Sequence, residues 1–327
     1  MSERLTVTVA VLTFRRNDEL RELLPLILQQ LQDQPADGEV TDVLVVDNDP
    51  AAAARPTVDA LGDSRVRYAC EPAPGIAAAR NRALDECADR DILVFIDDDE
   101  RPTERWLRGL LDTRAEFAVD AVAGPVRSEF YGPVDPWIEA GAFFGRRHRT
   151  HVTTGTAISV AATNNLLLDL RAVRRLGVRF PLDVGMAGGE DNLFTRTLVR
   201  RGARMVWCSE ALVTEAVPAE RATRRWVLLR SLSSGNVLAR VLLRTGPAGP
   251  AAIRLRASLL FGGAARIFGG AARCLIGYVT GSLTHRARGL RTAIRGVGIV
   301  LGASGYSYQA YKRPDQRLVE TDAKRST

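Results

Sequence analysis

Ile92-Leu-Val-Phe-Ile96 runs without a break into Asp97-Asp98-Asp99-Glu100. A short β-branched and aromatic run with no polar interruption reads as a central strand buried on both faces. Four acids at its carboxyl end are expected outside the core, because unpaired buried carboxylates cost too much. In open α/β sheets the ligand crevice lies beyond the carboxyl ends of the strands. Carboxylates in that place are the hard oxygen donors that Mg²⁺ or Mn²⁺ prefers, often shared with a substrate diphosphate.

The sequence around this run alternates strands and helices. Residues 5–13 (LTVTVAVLT) form a first strand, and 17–32 carry Leu20, Leu23, Leu24, Ile27, Leu28 and Leu31 at the spacing of one helical face. Asn17 stands where it can cap that helix. Residues 42–47 (DVLVVD) form a second strand with an acid at its end, 56–61 a helix, 65–70 a strand and 76–88 a helix. A helix near 103–116 and a strand at 120–124 follow. Strands alternating with helices imply a mainly parallel sheet with right-handed crossovers. From 125 to 155 the sequence reads as irregular, with Pro125, Pro133 and Pro136 among glycines and aromatics. A long loop in a compact domain is usually functional. Strand character returns at 157–168, a helix is expected at 192–201 and a strand at 205–208.

At 327 residues, 46% hydrophobic and 25% charged, the chain has ample material for a globular core. Cys70, Cys87, Cys208 and Cys274 are widely separated, which argues against a zinc site and a disulfide framework and suits a reducing compartment. The N-terminal apolar stretch alternates with Thr and meets Arg15 and Arg16, so it reads as a strand and not a signal peptide.

The net charge of +7 conceals an asymmetry. Between Arg221 and Arg317 stand 17 Lys/Arg and one acid, Asp315. That polarity points the C-terminal third at an anionic partner. FGGAAR occurs at 261–266 and again at 268–273, and Arg288, Arg291 and Arg295 share one helical face. The longest uncharged run, 296–311, falls short of the ~18–20 apolar residues of a membrane span. A basic amphipathic helix with small residues suits a membrane interface or a packed helical hairpin.

Six blocks in order now carry a resemblance: VAVLTFRR at 9–16, VVDND at 45–49, GIAAARN at 75–81, FIDDDE at 95–100, TNN at 163–165 and GGEDNLFTR at 188–196. Over about residues 5–240 the chain resembles the family-2 inverting glycosyltransferases of the GT-A fold. Within that group it is similar to bacterial exopolysaccharide transferases of the succinoglycan type. The resemblance implies an α/β GT-A domain over 1–240; the charge and spacing of the remainder point to a basic amphipathic helical region over 241–317 that associates with a membrane and a polar tail over 318–327.

Thr13 and Phe14 close the first strand at the crevice, where backbone groups can meet a base or ribose. By resemblance, Asp47 accepts a hydrogen bond from the nucleobase, Arg80 is aimed at the nucleotide, and Asp97 lies on the ribose side. Asp99 contacts the metal, and Asp98 does either. The family often has Asp-Gly-Ser where this chain has Asn48, Asp49 and Pro50, which leaves the base open. The bland alternatives are a turn acid for Asp47 and a surface ion pair for Arg80; an internal hydrogen-bonding role is open for Asn81. Gly188 and Gly189 before Glu190 and Asp191 suggest a loop passing close to a ligand, then a helix N-terminus that suits carboxylates. The resemblance makes Asp191 the general base and Glu190 the residue that positions the acceptor; simple capping is the alternative. Glu215 stands near the place where many relatives put a metal-binding histidine; it is read either as an oxygen ligand or as a solvated acid. Arg221, Arg224 and Arg225 precede Trp226, where the family closes a basic segment over the diphosphate; membrane or surface charge is the other reading.

The expected function is therefore metal-dependent transfer of a sugar, with inversion, from a nucleotide-diphosphate donor to a hydroxyl of a glycan or lipid-linked acceptor. The expected cofactor is Mg²⁺ or Mn²⁺, and the expected place is the cytoplasmic face of an anionic membrane. A nucleotidyltransferase would carry a Gly-rich, Lys-bearing loop after the first strand, and TFRRND lacks it. A catalytically silent, membrane-associated nucleotide-sugar-binding protein would not need both acid pairs. A nucleic-acid partner is not expected, because the basic third lacks interleaved aromatics and any zinc or RNA-binding signature.

Overall fold

The computed structural model describes residues 5–32, 40–145 and 152–309. The expected polar tail lies outside them, as do His148 and His151. The chain forms two compact units: one of Met1–Tyr131, Gly145–Leu182 and Glu190–Val217, the other of Gly132–Phe144, Asp183–Gly189 and Pro218–Thr327.

In the first unit β1 (Thr6–Thr13), β2 (Val40–Asp47), β3 (Val66–Cys70) and β4 (Ile92–Asp97) pair in parallel. The helices between them are α1 (Asn17–Gln32), α2 (Arg55–Leu61) and α3 (Ile76–Glu86). Then come β5 (Glu100–Pro102), α4 (Trp106–Phe117), β6 (Ala121–Ala123) and β7 (Val126–Phe130). The sheet order is β3-β2-β1-β4-β8-β6-β9, with β8 (Asn165–Asp169) antiparallel to both neighbours and β9 (Met205–Trp207) parallel to β6. The mainly parallel α/β fold thus follows from the alternation in sequence.

Alternate strand residues feed two cores, as the strand period of two requires. Val9, Val45 and Val94 pack with the leucines of α1 and with Trp106 of α4. Leu44, Phe95 and Leu166 pack on the other face with α3, α6 (Leu170–Leu176) and α7 (Glu190–Arg200). Every site-bearing strand end is held by both layers.

Several expectations are corrected. Residues 125–155 are not uniformly irregular, since β7 and α5 (Pro136–Gly141) lie within them. The strand expected at 157–168 narrows to β8, with only an isolated bridge between Ala157 and Val206 before it. A second sheet, β5-β10-β7 with β10 at Val213–Val217, has no counterpart in the sequence reading. Asn17 does not cap α1. It is itself the first helical residue; its Nδ2 donates to the Ala53 carbonyl at 3.0 Å, and its Oδ1 is buried without a partner.

The second unit contains α5, a 3₁₀ turn at Leu182–Ala187, and three long helices: α8 (Arg224–Thr245), α9 (Pro250–Val279) and α10 (Leu283–Ala303). α8 runs through position 240, the boundary suggested by the resemblance. Glycine brings α8 and α10 to backbone contact. A Cβ added at Gly298 would lie 2.0 Å from the Leu232 carbonyl oxygen, and one at Gly235 would lie 2.1 Å from that of Arg295. Arg288 and Arg291 donate to the carbonyls of Ala140, Gly141 and Ala142, which satisfies the last turn of α5.

Gly298→Ala should therefore destabilise the protein by about 1–3 kcal/mol, because rigid backbone must move to admit the methyl group. Gly269→Ala, with open space around its Cβ, should instead gain up to about 1 kcal/mol of helix propensity. Urea unfolding followed by the helical circular-dichroism signal checks both signs.

Candidate active site

The acids after β4, expected outside the core, are largely withdrawn from solvent. Asp98 and Glu100 are buried, and Asp97 and Asp99 are half-buried. What makes this tolerable is pairing. Thr13 Oγ1 donates to Asp98 Oδ2 at 2.9 Å, and Arg16 Nη1 bridges Asp98 and Asp99 at 2.8 and 2.9 Å. Glu100 folds back on the strand end, where it accepts from Asn164 Nδ2 at 2.6 Å and from the Asp97 amide at 3.2 Å. β10 pairs with β5 so that Glu215 stands opposite Glu100. The structure thus brings Glu215 into electrostatic reach of Asp97 and Glu100.

The cluster is short of positive charge. Burial pushes the Asp97 carboxyl up to about 7; Arg80 opposes this, and Asp99, Asp98 and Glu215 add to it. Burial, then Asp97 and Glu215, drive Glu100 well above the usual carboxylate range. Burial also raises Asp98, against the pull of Arg16.

The second acidic group opens α7. Gly188 and Gly189 take φ of +74° and +94°, a region that side chains resist, and so turn the chain into the helix. Glu190 and Asp191 fill the first helical turn, where the helix dipole favours negative charge. Glu190 is buried, and its Oε1 accepts from Arg80 Nη1 at 2.6 Å. Its Oε2 is buried without a hydrogen-bond partner. Asp191 is half-exposed, and its Oδ1 accepts from the amide and side chain of Asn192.

Arg80 links the two groups. It projects from α3, whose entry is set by Gly75 at φ +120°, and its guanidinium lies 5.6 Å from the centre of the Phe180 ring. Burial alone would lower its pKa. The charges of Glu190, Asp191 and Asp97 overrule that and raise it. Arg80 is therefore a buried cation and not a surface arginine.

Asp47 is fully buried, and three donors occupy it: the amides of Asp49 and Ala54 and the Tyr68 hydroxyl, at 3.0, 2.8 and 2.9 Å. Asn48 ties down the loop before α3, donating to the carbonyls of Glu71 and Ala73 and accepting from the Gly75 amide. Asp49 accepts from Arg15 Nε at 2.7 Å, while Arg15 itself sits at φ +55°. Phe14 is half-buried beneath the Arg15 guanidinium. Asn81 exchanges two hydrogen bonds with the backbone of Phe180, the internal role that had been left open.

Sequence reasoning missed Arg16, Asn164 and Asn165. Asn165 accepts from Trp106 Nε1 and donates to the carbonyls of Pro125 and Ala211. The signal for Arg16 was its place three residues after the end of β1; the amides stood in the TNN block, but their partners are remote in sequence and gave no sign of what they hold.

Hard oxygen donors with excess negative charge fit a divalent cation. Among the described residues no three His, Cys, Asp or Glu side chains converge as a complete ion cage.

Residues 8–175 match the pattern of glycosyl transferase family 2. The chain is 35% identical over 246 residues to the succinoglycan biosynthesis protein ExoM of Rhizobium meliloti (strain 1021), covering 74% of this chain and 76% of that one. Among solved structures it resembles the mannosyltransferase PcManGT from Pyrobaculum calidifontis in complex with GDP-Man and Mn²⁺. The TM-score is 0.63 at 22% identity, over 92% of this chain and 88% of that one. It also resembles S. aureus TarS 1-349 in complex with UDP-GlcNAc, with a TM-score of 0.51 at 15% identity, over 88% and 91%. The chain belongs to glycosyl transferase family 2, and its neighbours share the GT-A fold.

Removing Arg80 leaves Glu190 buried and uncompensated, so Arg80→Met should cost about 3–5 kcal/mol. Adding Glu190→Gln should recover a good part of that loss. Denaturant midpoints of the two single variants and the double variant supply the coupling energy; simple additivity would show that the pair is not coupled.

Proposed function

We propose that this member of glycosyl transferase family 2 is an inverting, metal-dependent hexosyltransferase. It moves a sugar from a nucleotide-diphosphate donor to a hydroxyl of a polysaccharide or lipid-linked glycan, at the cytoplasmic face of a membrane. The observation that carries this reading is the separation of two acidic groups by one buried cation. Asp97, Asp98 and Asp99, with Glu215 beside them, form a dense anionic cluster, and Glu190 and Asp191 stand apart on α7.

The dense cluster suits the donor. A divalent ion held by Asp97 and Asp99, with Glu215 as a further oxygen donor, would neutralise the diphosphate and stabilise the departing nucleotide. Thr13 and Arg16 fix the Asp98 carboxylate, and Asn164 fixes Glu100, so the strand end is rigid before the donor arrives. Asp47, with Asn48 and Asp49, shapes the turn that Thr13 and Phe14 face across the β1–β2 strand ends, where the nucleoside is expected. The GDP-Man bound to PcManGT and the UDP-GlcNAc bound to TarS carry different bases, which supports a nucleotide-sugar donor without choosing one. The Mn²⁺ in PcManGT supports the metal, and the succinoglycan role in the name ExoM supports a polysaccharide product.

The α7 pair suits the acceptor. Asp191 takes the proton from the attacking hydroxyl, and Arg80 clamps Glu190 so that the carboxylate beside the base keeps one orientation. One base and one leaving group make a single in-line displacement, which inverts the anomeric centre. The experiment that tests the function is release of sugar from UDP-, GDP- and dTDP-sugars with Mn²⁺, with and without EDTA. Turnover in excess chelator would reject the metal-dependent reading.

Asp191→Asn should lower turnover by about 10²–10⁴-fold, the usual worth of a general base, while calorimetric donor binding stays nearly intact. Retention of more than about a third of the rate would move the role to Glu190. Asp99→Ala should abolish turnover and also weaken nucleotide binding.

A pH dependence follows from Asp97. Its raised pKa means that the neutral carboxyl prevails below about 7 and the carboxylate above. Cations bind the carboxylate, so protons compete on the acid side. The thermal shift produced by Mn²⁺ should shrink as pH falls from about 8 to about 6, and Asp97→Asn should flatten that dependence.

A further inference from the structure

Helix α9 has two unlike faces. Gly263, Gly270 and Gly277 recur every seven residues and are buried against α10. A Cβ at Gly270 would lie 2.5 Å from the Ala293 amide nitrogen, and one at Gly296 would lie 2.7 Å from the Gly263 carbonyl oxygen. Phe261, Phe268 and Leu275 also recur every seven residues, on the outer face, at 83%, 75% and 65% exposure, and Val279 is 88% exposed. These values describe an uncovered apolar stripe, not scattered surface residues.

The expectation that no segment could cross a membrane is corrected here. Pro250–Val279 contains an 18-residue window of mean hydropathy 1.4, only 11% of it buried. Arg266 and Arg273 interrupt the run in sequence. In the helix they follow Gly263 and Gly270 by three residues, at the margin of the seam and off the outer stripe.

We propose that α9 lies in the plane of an anionic bilayer, with its Phe261–Phe268–Leu275 face immersed and its glycine face held on α10, and that it does not cross the membrane. Charge complementarity selects lipid over protein. No acid occurs between Arg221 and Asp315, while Arg254 stands one heptad before Phe261 at the end of the stripe and Arg256, Arg266 and Arg273 stand on the flanks of α9 toward the seam, on the side that faces the headgroups when the stripe is immersed. A second copy of the same face would set cation against cation, whereas anionic headgroups meet each arginine, and long side chains can reach them from a submerged helix.

The seam decides between lying and crossing. A 30-residue helix is about 45 Å long, more than enough to span. To span, α9 would have to leave α10 or carry it along. It is joined to α10 at backbone distance, and α10 is joined in the same way to α8 and by Arg288 and Arg291 to α5. Only the outer face is free, which is the geometry of an interfacial helix immersed about 5–10 Å.

This inference names the membrane component of the proposed function but rests on the second unit alone, and its test involves no sugar chemistry. The full-length protein is floated with phosphatidylcholine vesicles with or without phosphatidylglycerol. Anionic vesicles should bind it, and most of the bound protein should stay bound when salt is then raised. The double variant Phe261→Glu/Phe268→Glu, at exposed positions and checked for an unchanged melting curve, should lose about a hundredfold in partitioning. A Trp placed by Phe268→Trp, read as the difference from the parent signal, should be quenched more by lipids brominated near the headgroup than by those brominated near the bilayer centre. Stronger quenching from the centre would establish a span and overturn the proposal. Full release of the parent by salt, or unchanged partitioning of the double variant, would reduce the attachment to charge alone and overturn it. Lipid-free self-association that the double variant abolishes would assign the face to a second copy.

Discussion

Arg80 is the cation on which the acidic crevice depends. Glu190, Asp191 and Asp97 all act on it, and its own burial acts against it. An arginine can take such a place because it stays charged where a lysine would lose its proton, and because its flat guanidinium can lie against a ring such as Phe180. The consequence reaches three elements. α3 must enter through the positive φ of Gly75, α7 must start at Glu190, and β4 must end level with both. Substitution anywhere along this chain of contacts changes the charge balance of both acidic groups.

The same residues show why this end of the sheet stays charged. A packed core has no use for Asp97 with its pKa near 7, or for Glu100 raised well above its ordinary range. Buried charge of this kind destabilises a fold, and under the proposed function a bound cation would offset that cost. Arg16 reduces the repulsion in the free protein by bridging Asp98 and Asp99. It directly follows Arg15 at φ +55°, so the chain is bent to deliver it.

What sequence could show depended on whether the cause was local. The ILVFI run and its acid tip gave β4 and the crevice, because a buried strand is written in consecutive residues. Gly188 and Gly189 marked the turn into α7 for the same reason. The β5-β10-β7 sheet was not legible: its strands are short, β5 reads Glu-Arg-Pro, and β10 pairs with β5 more than a hundred positions earlier. Asp47 illustrates a different limit. Its position after a strand was correct, yet nothing nearby in sequence announces Tyr68 as a donor to it. Asn164 and Asn165 were visible as a motif, but their work, holding Glu100 and tying Trp106 to two carbonyls, exists only once distant segments meet.

The C-terminal third carries the same lesson further, because there the repeat was visible and its orientation was not. FGGAAR at a seven-residue period puts a phenylalanine and two glycines on a helix, and either could have faced inward. Burying Phe261 and Phe268 would gain more by the hydrophobic effect. The structure instead buries Gly263 and Gly270, because α10 answers with Gly289 and Gly296 and the two backbones meet. Small-residue seams of this kind are the packing found where the surroundings are themselves apolar and burying large side chains offers little advantage. A helix that gives its contact face to glycine and its outer face to phenylalanine, in a stretch with no acid between Arg221 and Asp315, has the arrangement that the proposed docking on an anionic bilayer requires.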